Sequence, residues 1–167
     1  TYADQSVSLN IDGFTSSRGA LFRQGIFDAA QIEVLKGPQS LFYGKSTSAG
    51  MIAIHSADPT KDWQTEAKIG YEFKADELDL SGYVSGPITD DLGIRVAGFH
   101  NTEKGYLYNP NPANPQHRLP EQEDSGGRLT LKYDNPDIGL RVKLKGSYSY
   151  EHLNNTQFEF NQSVCLA

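Results

Sequence analysis

Gly44-Lys45-Ser46 has the chemistry of the end of a phosphate-binding loop. In such a loop, a lysine and a hydroxyl group follow a glycine-rich turn whose backbone amides hold phosphate oxygens. The motif needs a glycine at position 39, where this chain has Gln39, and Gly37 lies two residues too far back. The spacing therefore disfavours a nucleotide site and a nucleotide-dependent enzyme.

Metal and thiol chemistry has few candidate residues. The four histidines, His55, His100, His117 and His152, are scattered without the short spacings of a zinc site. A single cysteine, Cys165, excludes a disulfide within the chain and a thiolate cluster. We expect no metal site, no cofactor and no catalytic residue.

The segment from Phe14 to Phe27 has residues suited to recognition. Arg18 and Arg23 offer forked donors to anionic oxygens, and Phe22 offers an apolar contact. A solvated connection with surface arginines is an equally good interpretation of these residues alone. The segment is thus a candidate ligand-binding loop, and its structural alternative stays open.

Charge and length limit the function classes. The chain has 167 residues and a net charge of -6, which argues against a nucleic-acid partner, because such proteins usually carry a clustered basic face. It contains no run of about 18 apolar residues, but strands that cross a membrane need only about 9–11 alternating residues. Thr1 follows no leader, so we expect a processed chain or a piece of a longer one.

The first third of the chain predicts short strands. Residues 7–11 alternate apolar and polar side chains and end at the turn pair Asp12-Gly13. Residues 28–31 could form one helical turn capped by Asp28. Strands are expected over residues 32–35 and 51–54, joined by glycine-marked turns.

The remainder predicts five longer strands, each with one apolar and one polar side. They centre on residues 67–73, 78–85, 92–97, 128–133 and 140–150. The fifth is the clearest, since Leu140, Val142 and Leu144 alternate with Arg141, Lys143 and Lys145. Two faces in different environments follow from this alternation. Short turns at 86–91 and 134–139 alternate with a long loop at 105–122, as in an outer-membrane barrel.

The stretch from Ile32 to Ile54, IEVLKGPQSLFYGKSTSAGMIAI, resembles the closing segment of the plug domain of TonB-dependent outer-membrane transporters. The family's usual form is close to IEVLRGPxSxLYGxxAxGGxINI. This chain departs from it at Ala49 and Ala53, where the family usually has Gly and Asn. The order and spacing of the motif are otherwise kept.

The resemblance implies a mainly β fold: an α+β segment of a plug over residues 1–62, then antiparallel strands of an incomplete transmembrane β-barrel over residues 63–167. It implies import, without catalysis, of a scarce ligand such as an iron-siderophore complex across the outer membrane of a Gram-negative bacterium. The partners would be the ligand, outer-membrane lipid and the TonB energy-transducing complex, whose contact segment is expected outside this chain.

The resemblance also suggests roles for particular residues. The loop with Arg18, Phe22 and Arg23 matches the plug apex, which faces the incoming ligand. Glu33 and Lys36 match positions that take part in charge contacts between plug and barrel, and an ordinary exposed pair of charges on a strand is an equally good interpretation. A secreted β-sandwich that binds carbohydrate remains the alternative, and it would bury the face formed by Leu140, Val142 and Leu144 inside the protein.

Overall fold

A computed structural model describes residues 7–16, 26–38, 47–108 and 118–154. Within these ranges no helix has the length and apolarity needed to span a bilayer. The chain forms eleven strands there, and the mainly β expectation is confirmed. The strands are β1 (Val7–Ile11), β2 (Phe14–Ser16), β3 (Ala29–Lys36), β4 (Gly50–Ser56), β5 (Gln64–Glu72), β6 (Glu77–Pro87), β7 (Leu92–Glu103), β8 (Leu107–Tyr108), β9 (Arg118–Leu119), β10 (Glu121–Asn135) and β11 (Leu140–Asn154).

The first sheet has the strand order β2-β1-β4-β3. Strand β1 runs parallel to β4, and the other two pairings are antiparallel. The small core of this sheet is formed by the buried side chains of Leu9, Met51, Ala53 and Ile54. The strands expected over residues 7–11, 32–35 and 51–54 are therefore present. Strand β1 has the predicted bounds, and β3 and β4 extend one to three residues beyond theirs at each end.

The helical turn expected over residues 28–31 is wrong, because β3 already begins at Ala29. Asp28 has a positive φ of 57°, a conformation that Asp tolerates better than most residues and that turns the chain directly into the strand. Its carboxylate binds an arginine of the second sheet and so does not cap a helix.

The second sheet is an antiparallel meander with the order β11-β10-β7-β6-β5. All five predicted strands are present, and three of them extend well past the predicted bounds. The turn between β10 and β11 is held by Asn135, whose side-chain oxygen accepts hydrogen bonds from the amides of Asp137 (3.0 Å) and Ile138 (3.1 Å). The short pair β8 and β9 lies in the long loop and was not predicted.

The two faces of the second sheet meet different surroundings. The side chains of Arg95, Arg128 and Thr130 point to the first sheet and are 6%, 6% and 0% exposed. The opposite face is apolar and open, and Leu140, Val142 and Leu144 are 46%, 39% and 63% exposed on it. A β-sandwich would bury that apolar face, so this arrangement disagrees with the sandwich alternative.

Residues 57–63 connect the two sheets and contact the second one along their course. Thr60 donates its backbone amide to the hydroxyl of Ser85 (2.9 Å). The ring of Trp63 lies against Gly86, where a Cβ atom would approach the ring to 2.4 Å. Gly86 therefore makes room for the aromatic ring at the start of β5.

Candidate functional site: the interface between the two sheets

The most buried ionic contact between the sheets joins Asp28, at the start of β3, to Arg95 of β7. The Arg95 Nε donates to both carboxylate oxygens at 3.0 Å, and a terminal guanidinium nitrogen donates to Oδ1. The two side chains are only 7% and 5% exposed. The guanidinium also lies 3.7 Å from the ring centroid of Tyr83. Forked geometry and exclusion of water make this contact highly directional.

An aromatic contact lies beside this ion pair. The rings of Phe27 and Phe99 are 4.7 Å apart, and the Arg128 guanidinium lies 4.6 Å from the Phe27 centroid while donating to the Phe27 carbonyl at 3.3 Å. Gly126 leaves the space that Phe99 occupies, because a Cβ atom there would approach the Phe99 ring to 2.6 Å. Residues 27 and 28 are thus held by both apolar and ionic groups of the second sheet.

The turn after β1 forms a second ionic contact. Lys145 of β11 lies 3.0 Å from the Asp12 carboxylate and 2.5 Å from the hydroxyl of Ser56. Ser56 donates to Asp12 from its amide (3.0 Å) and from its hydroxyl (2.6 Å). Burial raises the pKa of Asp12, but the hydrogen bonds from Ser56 and Lys145 outweigh burial, so this pKa lies below its ordinary value. Asp12 is therefore an anion at neutral pH.

A third ionic contact involves Asp58, in the connection between the sheets. Lys143 of β11 contacts one carboxylate oxygen, and Lys132 of β10 lies 3.7 Å from the other. Burial raises the pKa of Asp58, yet the hydrogen bond from Lys143 and the nearby lysine charges bring it below its ordinary value. One carboxylate thereby bridges two lysines on neighbouring strands.

A cavity of about 790 Å³ opens between the sheets next to these contacts. Its lining includes Asp12, His55, Arg128, Lys143 and Lys145. Among the described residues, no three His, Cys, Asp or Glu side chains are grouped so as to hold a metal ion. Ion pairs and hydrogen bonds therefore join the two sheets, with carboxylates on the first sheet or its connection and cations on the second.

No family model matches this chain. One relative, the iron-regulated outer membrane virulence protein of Vibrio cholerae, is 32% identical over 73 residues, covering 41% of this chain and 11% of the relative. Among solved structures, the pyoverdine outer membrane receptor FpvA of Pseudomonas aeruginosa, bound to pyoverdine, has a TM-score of 0.68 at 20% identity. That similarity covers 86% of this chain and 20% of the receptor. The chain has the fold of part of this outer-membrane receptor.

A second structure supports the same assignment. The siderophore receptor PirA of Pseudomonas aeruginosa has a TM-score of 0.64 at 20% identity, and the similarity covers 91% of this chain and 27% of the receptor. This chain thus spans about a quarter or less of the proteins it matches. The two matched solved structures are named as receptors, in agreement with the expectation of a protein that is not an enzyme. We call the first sheet and its connections the plug, and the second sheet the barrel wall.

The predicted ligand-binding residues lie outside the described part of the chain, whereas the predicted plug–barrel residues lie within it. Arg18, Phe22 and Arg23 lie outside the described residues, and so does the Gly44-Lys45-Ser46 segment. Glu33 lies in β3 and contacts other plug residues: Gln31 donates to its carboxylate at 2.7 Å, and the His55 ring nitrogen is 3.8 Å away.

Lys36, at the end of β3, is exposed. In the described part of the chain, the hydrogen bonds and ion pairs from plug to wall are made by other residues, and neither Glu33 nor Lys36 forms one with β5, β6, β7, β10 or β11. Their predicted role in joining plug and barrel remains a prediction, because the described wall has only five strands.

Sequence reasoning missed Asp12, Asp28 and Asp58 as partners of the wall. Asp12 was interpreted as a turn residue and Asp28 as a helix cap, since both roles are common for Asp next to glycine or alanine. The basic partners carried a signal, because Lys143 and Lys145 lie on one face of a predicted strand. What opposes that face depends on residues far away in the chain.

Proposed function

We propose that this chain is part of an outer-membrane receptor of a Gram-negative bacterium that binds a ferric siderophore and imports it with energy from the TonB complex. Residues 1–62 form the C-terminal part of the plug, and residues 63–167 form the first strands of the barrel. The proposal rests on one observation: the plug packs against the polar face of a sheet whose other face is apolar and exposed. The matched proteins, named as a pyoverdine receptor, a siderophore receptor and an iron-regulated protein, support iron-siderophore as the cargo.

Within this function, the plug segment that contains Arg18, Phe22 and Arg23 contacts the ligand from the apex of the plug. Paired guanidinium groups suit the anionic oxygens of a ferric siderophore, and a phenylalanine suits its apolar backbone. We propose this ligand-binding role because of the chemistry of the three residues and because they precede the plug motif in the sequence.

The test uses the full-length protein in iron-starved cells that lack other siderophore receptors, with a ferric siderophore carrying radioactive iron. We expect binding in all cells and uptake only in cells with a working TonB complex. The double variant Arg18→Ala/Arg23→Ala should raise the Kd by about tenfold or more, since two charged hydrogen bonds are lost. The control Arg141→Ala changes an arginine that pairs with Asp134 at the turn end of the wall, 3.1 Å away, and should keep the Kd. An unchanged Kd in the double variant would leave these arginines as surface charges.

Glu33 and Lys36 are proposed to join the plug to barrel strands other than β5, β6, β7, β10 and β11. Lys36→Glu would place like charges at such a contact, so it should lower uptake more than it changes ligand binding. The two quantities come from the same radioactive-iron assay, with and without TonB energy. Equal losses in binding and uptake, or no loss in either, would remove the role in plug attachment.

A further inference from the structure

Five cations lie close together on the plug-facing side of the wall. We call them the cationic strip: Arg95, Arg128, Lys132, Lys143 and Lys145. The register places them in three successive rows of this face, because Lys145 lies opposite Thr130, which lies opposite Arg95. One row to one side, Lys132 lies opposite Lys143, and one row to the other side Arg128 lies opposite Ser147. The strip is therefore continuous across β7, β10 and β11.

Such an arrangement is unfavourable for the wall by itself. Like charges directly opposite each other on neighbouring strands destabilise a sheet, and Lys132 and Lys143 are such a pair. With the plug packed against the wall, as in this structure, Asp58 bridges these two lysines, Asp12 binds Lys145, and Asp28 binds Arg95. All three carboxylates belong to the plug or its connection to the wall, and none belongs to a strand of the wall.

The cations are fixed more firmly than the carboxylates. Strand β10 is paired with β7 on one side and with β11 on the other over most of its length. The plug carboxylates reach the wall through side chains, while the backbone amides of Asp12 and Ala57 bond to other plug residues. If the plug moves away from the wall, the carboxylates of Asp12 and Asp28 leave with it and the cations stay on the wall, while Asp58 lies two residues before Thr60, whose amide bonds to Ser85 of the wall.

The strip is also accessible to a ligand of moderate size. The cavity of about 790 Å³ reaches Arg128, Lys143 and Lys145, with Ser147 and His55 adding polar groups to its lining. Clustered charge of one sign in a low-dielectric passage attracts and concentrates ions of the opposite sign. Lysine and arginine together suit oxyanions such as carboxylate or phosphate.

We propose that the cationic strip is an anion-binding track that the plug carboxylates cover at rest and that an oxygen-rich anionic cargo occupies when the plug moves. This inference rests on the proposed transport function and names the charge class of its cargo. The plug carboxylates then act as internal substitutes for the cargo, and each release of a carboxylate opens a place for a cargo oxygen.

The test uses the full-length receptor in a planar lipid bilayer, where urea loosens the plug and opens a channel. A potassium chloride gradient across the bilayer gives a reversal potential, and from it the ratio of chloride to potassium permeability. In the wall variant Lys132→Gln/Lys143→Gln/Lys145→Gln, this ratio should fall by about threefold or more, because the wall no longer attracts anions. Inorganic phosphate at millimolar concentration should reduce the chloride current of the unmodified channel.

A plug variant separates attachment from attraction. Asp12→Asn/Asp58→Asn should open at a lower urea concentration than the unmodified receptor but keep its permeability ratio, since the strip is intact. The control Lys104→Gln removes a positive charge outside the strip, on a lysine that pairs with Asp76 at 2.6 Å, and should change neither quantity.

Three outcomes decide the inference. If the wall variant opens with an unchanged ratio, the strip only holds the plug and the track is refuted. If the wall variant does not assemble, the phosphate experiment on the unmodified channel decides, and undiminished current overturns the track. If urea opens no channel in any variant, the plugged-barrel function itself fails, which is distinguishable from failure of the track alone.

Discussion

Replacing Arg95 with methionine in the full-length receptor should lower the free energy of plug attachment by about 3–5 kcal/mol, the range found when one partner of a buried ion pair is removed. The variant leaves the Asp28 carboxylate without its guanidinium at a position where both side chains are almost fully buried. The urea concentration at which added protease first cuts the plug measures the effect, and it should fall substantially.

The double variant Asp28→Asn/Arg95→Met should recover a large part of that loss. Asparagine keeps the shape of Asp28 and tolerates its positive φ, and it removes the stranded charge. Methionine can still pack on the ring of Tyr83, which the guanidinium covers now. Recovery in the double variant would show that the cost of the single change comes from an unpaired buried charge.

An exposed ion pair supplies the matched control. Lys104 and Asp76 are 2.6 Å apart, with side chains 67% and 27% exposed, and such pairs contribute about 0–1 kcal/mol. Lys104→Met should therefore shift the protease midpoint far less than Arg95→Met. Equal shifts for the two methionine variants would contradict a special role for the buried pair in holding the plug.

The strand content was predictable because the wall strands alternate over residues such as Leu140, Val142 and Leu144. Strand length was not. The second half of β7 contains His100 and Asn101, and the start of β10 contains Glu121 and Asp124, none of which has typical strand chemistry. These segments are strands because each is paired with its neighbours in register. Pairing between distant segments overrides local preference.

The ionic contacts of the interface could not be predicted from the sequence for a related reason. Asp28 and Arg95 are 67 residues apart, and Asp12 and Lys145 are 133 apart by their residue numbers. Periodicity shows that Lys143 and Lys145 share a face, but it does not show which acidic residue lies opposite. The plug motif led to the correct fold class, but the motif's own charged residues, Glu33 and Lys36, make none of these ionic contacts.

The exposed apolar face gives the second large expected effect. Leu129 lies near the middle of β10, 43% exposed, with Val96 and Gly146 as its neighbours in register on the two sides. If this face meets lipid, Leu129→Arg places a charge near the middle of the bilayer, at a cost of about 2–4 kcal/mol. The amount of folded, heat-modifiable receptor in the outer membrane should fall accordingly.

The same substitution on the other face should be tolerated better. Ser81 of β6 lies on the plug-facing side, next to a cavity of about 450 Å³ whose lining also includes Glu66. An arginine there has room and the Glu66 carboxylate nearby, but Lys68 lies directly opposite Ser81 and pairs with Glu66 now, so Ser81→Arg should lower the folded amount, although less than Leu129→Arg does. Because both variants add one arginine to a central strand of the wall, their difference isolates the surroundings of each face. Equal losses of folded receptor in the two variants would mean that the apolar face does not meet lipid. A larger loss for Ser81→Arg would mean that the plug-facing side is the less tolerant of a charge, which would also contradict lipid contact at Leu129.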